Sequence, residues 1–92
     1  MAHVVQMPKW GLSMEEGTIV EWMAEAGEDV AQGDVLATVE SEKSQMDLPS
    51  PVTGVFAKAL VAEGETVDVG EDVCVIAADR AEFLAEFARE VA

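Results

Sequence analysis

Basic residues are scarce in this chain. Five lysines and arginines stand against nineteen aspartates and glutamates in 92 residues, a formal net charge of −14. A surface of that sign repels nucleic-acid phosphates and anionic membrane faces, so neither is expected as a partner. It favours solubility and suits partners with basic docking surfaces. Histidine occurs once, at His3, and no Ser/His/Asp set or metal-spaced cluster accompanies it; the side chains offer no catalytic constellation. The single cysteine, Cys74, has no internal disulfide partner and sits in the apolar run Val73-Cys74-Val75-Ile76, which assigns it to the core as a buried thiol. No apolar run reaches transmembrane length, and the N-terminus lacks the basic-then-apolar pattern of a secretion signal. A reducing, cytoplasmic compartment fits these absences.

What is present is a small domain near the lower size limit for independent stability. Half of the residues are hydrophobic, many of them alanine, so the core is expected to be built from short strands and small side chains. An internal repeat organises it. Displacing the sequence by 37 positions lays Gly17 on Gly54, Gly27 on Gly64 and Gly33 on Gly70, with Glu28 on Glu65, Val30 on Val67 and Val39 on Ile76. Glycines recurring at the same bends imply one backbone path traced twice. Before Gly17 the register changes. Met7-Pro8 resembles Leu48-Pro49, 41 positions apart, which places about four extra residues in the loop Lys9–Glu15 of the first half.

The pattern predicts strands near His3–Met7, Gly17–Met23, Asp29–Ala31, Val35–Glu40, Gln45–Leu48, Gly54–Leu60, Thr66–Asp68 and Asp72–Ala77. Short strands rich in Val, Ile and Thr, punctuated by Gly and Pro, make an all-β sandwich or barrel. Two intertwined halves related by a pseudo-two-fold would close it as a flattened barrel-sandwich hybrid of two four-stranded sheets. Trp22, Met23 and Phe56 are assigned to its core. After Ala78 the period becomes helical. Asp79 can cap, Glu82 completes a capping-box spacing, and Phe83, Leu84, Phe87 and Val91 fall on one side. Residues 1–78 therefore form the domain, and 79–92 a C-terminal helix, either packed on it or starting a linker.

Between the two halves lies Val39-Glu40-Ser41-Glu42-Lys43-Ser44-Gln45-Met46-Asp47-Leu48-Pro49. Five polar residues, Ser41 to Gln45, separate two apolar stretches, and Lys43 is at their centre. The stretch predicts a hairpin tip holding that amine in solvent as a handle for covalent attachment. No Gly, Asn or Pro lies within the tip, which disfavours the primed turns and leaves a type I turn as the compatible form. A Glu-Lys pair alone means only a solvated loop; its place between two half-repeats gives it weight.

Two half-repeats joined by a polar turn with a central lysine resemble the biotinyl/lipoyl attachment domain family over roughly residues 3 to 77. In detail they are similar to the lipoyl domain of dihydrolipoyl acyltransferases from 2-oxo acid dehydrogenase complexes. MPKWGLSMEEGTIVEW resembles the family's opening, EAGEDVAQGDVLATVESEKS its approach to the lysine, and LPSPVTGV its exit. Glu42 replaces the usual aspartate before the lysine, and Ser44 the usual alanine or valine after it. Biotin acceptors show Met-Lys-Met at this turn, which Glu42-Lys43-Ser44 does not resemble. The WGLSM wording of the first loop looks most like the acetoin-dehydrogenase branch.

The resemblance implies a carrier without catalysis of its own. Lys43 would hold lipoate in amide linkage as N6-lipoyllysine, attached by a lipoyl ligase, with Glu42 and Ser44 helping to present the turn. The arm would serve a thiamine-diphosphate-dependent decarboxylase, an acyltransferase core and a dihydrolipoyl dehydrogenase, tethering raising its effective concentration at each. Trp10, Leu12 and Met14 in the first loop are candidates either for recognition by the decarboxylase or for packing beneath the loop. Two alternatives share the fold: a biotin carrier of a carboxylase, and an unmodified interaction module.

Overall fold

In Gln45–Pro49 and Thr66–Asp68 aliphatic side chains alternate with polar ones and put one row inward, whereas Asp72–Ala77 is apolar on both faces. The computed structural model describes residues 2–9, 14–42 and 44–87. It contains β1 (His3–Gln6), β2 (Glu16–Trp22), β3 (Asp29–Val30), β4 (Val35–Glu40), β5 (Gln45–Pro49), β6 (Gly54–Ala59), β7 (Thr66–Asp68), β8 (Asp72–Ala77) and the helix α1 (Arg80–Glu86). The strands form two four-stranded antiparallel sheets, ordered β1-β8-β6-β3 and β5-β4-β2-β7. Each sheet takes its two central strands from one half of the sequence and its two edge strands from the other. The halves are therefore interlocked, and the all-β sandwich read from the sequence is the observed fold. Between the sheets lie Met7, Ile19, Leu36, Val39, Leu48, Phe56, Val73, Cys74 and Ile76, all buried.

The repeat is visible bond by bond. Gly27 N–H donates to the Phe56 carbonyl at 2.8 Å and Phe56 N–H to that of Glu28 at 2.9 Å. In the other half, Gly64 N–H donates to Ile19 at 2.6 Å and Ile19 N–H to Glu65 at 2.9 Å. Gly27 and Gly64 have φ of 91° and 89°, in the left-handed region where a Cβ is costly.

The strand pairing corrects the register before Gly17. Val5 pairs with Cys74 as Leu48 pairs with Ala37, and Val4 with Val75 as Asp47 with Thr38. The offset there is 43, not 41. Met7 thus matches Ser50, each bonding reciprocally with one loop of the opposite half. The first half carries six extra residues before Gly17 rather than four. The similarity of Met7-Pro8 to Leu48-Pro49 misled because a second proline, Pro51, follows Ser50. Ser50 is buried, its hydroxyl satisfied by the Val52 carbonyl at 2.6 Å.

Met23 is a second correction: it is 53% exposed rather than in the core. The ladder between β2 and β4 shifts register between Ile19 and Glu21. Strict alternation from Ile19 would turn Glu21 and Met23 inward; the bulge instead sends Trp22 and Ala24 in and Met23 out. Trp22 meets Phe56 edge-on at 5.6 Å and donates its Nε1–H to the Val61 carbonyl at 3.0 Å.

Helix α1 packs on its own domain. Asp79 caps it, its carboxylate accepting from Glu82 N–H at 2.8 Å. The Glu82 carboxylate accepts from Ala78 N–H, one residue before the expected capping-box donor; that bond, first among its causes, lowers the Glu82 pKa. Phe83 covers Val55, Ala57, Val75 and Ala77 on the outer face of β6 and β8, with Phe87 beside it. Leu84, expected on the same side, is 60% exposed, because only the i, i+4 pair Phe83 and Phe87 meets the sheet. Val91 lies outside the described residues.

Candidate functional site

The β4–β5 hairpin is tied along five residue pairs, from Val35 with Pro49 to Glu40 with Gln45. That leaves Ser41–Ser44 as the turn. Val39 and Leu48 anchor its base in the core, so the turn stands on a rigid ladder. Serine supplies the closure that Gly or Asn would otherwise give. Ser41 N–H donates to the Ser44 carbonyl at 2.8 Å. The Ser41 hydroxyl donates to the same carbonyl at 3.1 Å and accepts from Ser44 N–H at 3.4 Å. Glu42 has negative φ, as a type I turn asks of it.

Lys43 lies outside the described residues. Its neighbours Glu42 and Ser44 are both exposed. Glu40, Ser41, Glu42, Ser44 and Gln45 line an open surface hollow around the turn. A group linked through residue 43 fits these neighbours: the turn is closed at its base by Ser41, and none of the described residues Glu40–Glu42, Ser44 and Gln45 is buried. Of the two candidates named for presentation, Ser44 takes part through its backbone and Glu42 only through its place. Ser41, which the sequence reading left off the site, makes the closure. Its signal was there, since Ser before a two-residue apex is the side chain that replaces a missing turn-former.

Met14 is half-buried against the core, close to Gly17, Val39 and Met7, so it packs on the core. Trp10 and Leu12 lie outside the described residues. Cys74 is fully buried, and burial pushes its thiol up to about 12, which removes it from nucleophilic chemistry. Among the described residues no group of side chains could hold a metal ion, and no helix is long and apolar enough to cross a membrane.

Comparison with known proteins agrees with this geometry. A dihydrolipoyllysine-residue acetyltransferase component of the pyruvate dehydrogenase complex from Staphylococcus aureus is 39% identical over 82 residues, which are 89% of this chain and 19% of that protein. The same component from Staphylococcus epidermidis is 40% identical over the same share. This chain thus spans about a fifth of the length of these curated relatives. Among solved structures, the lipoyl domain of the 2-oxoglutarate dehydrogenase complex from Azotobacter vinelandii matches with a TM-score of 0.65 at 27% identity, over 80% of this chain and 94% of that one. A single-chain, multi-domain long-chain acyl-CoA carboxylase matches with a TM-score of 0.66 at 27% identity, over 80% of this chain and 7% of that one. The family model described as biotin-requiring enzyme covers residues 3–83. On the repeat, the interlocked sheets, the hairpin between the halves and this match, the chain belongs to the biotin/lipoyl attachment family.

Proposed function

We propose that this domain is a lipoyl carrier, with lipoate amide-linked to Lys43, serving a 2-oxo acid or acetoin dehydrogenase complex. The observation that carries the reading is the β4–β5 hairpin, which joins the two halves on a base buried in the core and whose turn residues on either side of position 43 in the sequence, Glu42 and Ser44, are exposed. When attached, lipoate would supply a dithiolane able to accept and release acyl groups and electrons, chemistry that no side chain here provides. The chain's own work is to hold one amine away from its core, through Ser41 at the base of the turn and Val39 and Leu48 below it. Lipoate is favoured over biotin because Glu42-Lys43-Ser44 lacks the Met-Lys-Met of biotin acceptors and because the curated relatives named above are dihydrolipoyllysine-residue acetyltransferase components. The partners that follow are a lipoyl ligase, a thiamine-diphosphate-dependent decarboxylase, an acyltransferase core and a dihydrolipoyl dehydrogenase, in a cytoplasmic compartment that suits the unpaired Cys74.

Intact mass tests this. Incubated with a lipoyl ligase, ATP and lipoate, the domain should gain one lipoyl group, and Lys43→Ala should gain none while melting at the same temperature. Modification of exposed Lys9, or of Lys58 in β6, in the intact domain would remove Lys43 from the reading. Biotin at Lys43 in the native host would replace lipoate.

A further inference from the structure

The turn at Ser41–Ser44 contains no Gly, Asn or Pro, and a serine side chain closes it. The last ladder pair is Glu40 with Gln45. Beyond it, Ser41 bonds Ser44 three ways: its N–H and its hydroxyl both donate to the Ser44 carbonyl, and its hydroxyl oxygen accepts the Ser44 N–H. One hydroxyl thus satisfies both backbone groups of Ser44, as a group with one donor and free lone pairs can. The two residues spanned by this clasp are Glu42 and Lys43. Ser41 is half-buried where Glu42 and Ser44 are exposed, and the clasp itself lies at the solvent-exposed end of the hairpin.

We propose that Ser41 is a positioning residue: its hydroxyl clasp on Ser44 sets the geometry in which the Lys43 amine reaches a modifying enzyme. This rests on the carrier reading above. In the step concerned, the deprotonated Lys43 amine attacks the acyl carbon of a ligase-bound lipoyl adenylate. A C–N bond forms, the C–O bond to the phosphate breaks, AMP leaves and the amine's remaining excess proton goes to solvent or a ligase base. Ser41 touches none of these atoms. Its effect is on where the amine stands, since a displaced attacking group lowers a rate without altering its own reactivity.

The experiment compares the unmodified wild-type domain with Ser41→Ala and Ser41→Thr, all presented to lipoyl ligase with ATP and lipoate. Ser41→Ala should lower kcat/KM for modification about three- to tenfold, the range spanned by loss of a turn hydrogen bond. Ser41→Thr, which keeps the hydroxyl, should return to within about twofold of wild type. Acylation of Lys43 by a small free reagent, an N-hydroxysuccinimide ester followed by peptide mapping, should be equal in all three, because it needs no presented geometry. Ser41→Ala modified by the ligase at the wild-type rate overturns the proposal. So does Ser41→Thr remaining as slow as Ser41→Ala. If the small reagent slows in parallel with the ligase, the hydroxyl acts on the amine's reactivity or access, and positioning is refuted. If wild type itself gains no lipoyl group, the carrier reading fails instead, so the two failures are distinct.

Discussion

The two halves of the molecule follow the same path up to Glu40 and Ala77 and then part. At the end of β4 the chain turns over four residues and pairs with β5; at the end of β8 it meets the Asp79 cap and enters α1. The outer faces differ in step with the ends. Beneath α1 lie Val55, Ala57, Val75 and Ala77, all buried. Their counterparts on the other sheet are Thr18, Val20, Thr38 and Glu40, none buried. Aliphatic residues under the helix are covered by Phe83; on the other face two threonines and Glu40 meet water, with Val20 exposed among them. The repeat builds a symmetric frame, and the substitutions that break the symmetry decide which end is closed and which end is presented.

The strongest way to break the comparison is to uncover the closed end. Phe83→Ala removes the ring that seals the outer face of β6 and β8, and should cost about 2–3 kcal/mol in urea unfolding, at or below the low end for buried phenylalanine because the helix can lift away. Lipoylation at Lys43 should proceed at the wild-type rate. In that background Val75→Thr, which copies Thr38 of the other half, should cost less than it does in the intact domain. Equal costs in both backgrounds would mean that the helix does not cover Val75 in solution.

A finer test compares equivalent glycines. A methyl group at Gly54 would strike the backbone carbonyl of Ala77 and meet Ile76 Cγ2 at 2.9 Å. At Gly17 it would meet Val39 Cγ1 at 2.9 Å, Met7 Sδ at 3.1 Å and Met14 Cε at 3.2 Å. The ends of Met7 and Met14 can move, Val39 Cγ1 can yield only by turning about χ1, and a carbonyl held in a sheet yields least. Gly54→Ala should therefore lose about 2–3 kcal/mol and Gly17→Ala about 1 kcal/mol, within the range known for overpacking. Equal losses would show that the side chains around Gly17 are as rigid as backbone.

Much of this frame was legible before any coordinates, for reasons tied to particular residues. Repeated glycines read well because Gly27 and Gly64, like Gly33 and Gly70, share a φ that other residues avoid. The hairpin read well because a polar run between two apolar strands has few other uses. What failed did so where the chain departs from simple periods. Met23 was misassigned because a bulge adds one residue to β2 and leaves no mark in composition. Leu84 was misassigned because a seven-residue helix lying on the outer face of the central strands β6 and β8 buries a stripe one side chain wide. The extra residues before Gly17 were undercounted because two prolines, Pro49 and Pro51, offered two registers and only strand pairing chooses between them. Ser41 was missed because it acts through a hydroxyl bonded within its own turn.

The smallest expected effect sharpens the comparison most. The repeat offset of 37 carries Lys43 onto Arg80, so both halves place a cation three residues beyond the last strand position. The surroundings differ. Arg80 opens α1, donates to the Gly27 carbonyl at 2.7 Å, pairs with Asp29 at 2.8 Å and lies 5.9 Å over the Phe83 ring. Arg80→Lys keeps the charge but loses the two-pronged bond. Since both partners are well exposed, it should cost only about 0.5 kcal/mol. Combined with Lys43→Ala, it places the molecule's one lysine of this repeat position at the helix end instead of the hairpin. A ligase that reads a closed hairpin should add nothing to this double variant, whose intact mass should stay unmodified beside a fully lipoylated wild type. Gain of one lipoyl group at residue 80 would mean that the end of a paired strand suffices and that the turn closed by Ser41 is dispensable. The two ends would then be alike to the enzyme, and the asymmetry between them would concern stability alone.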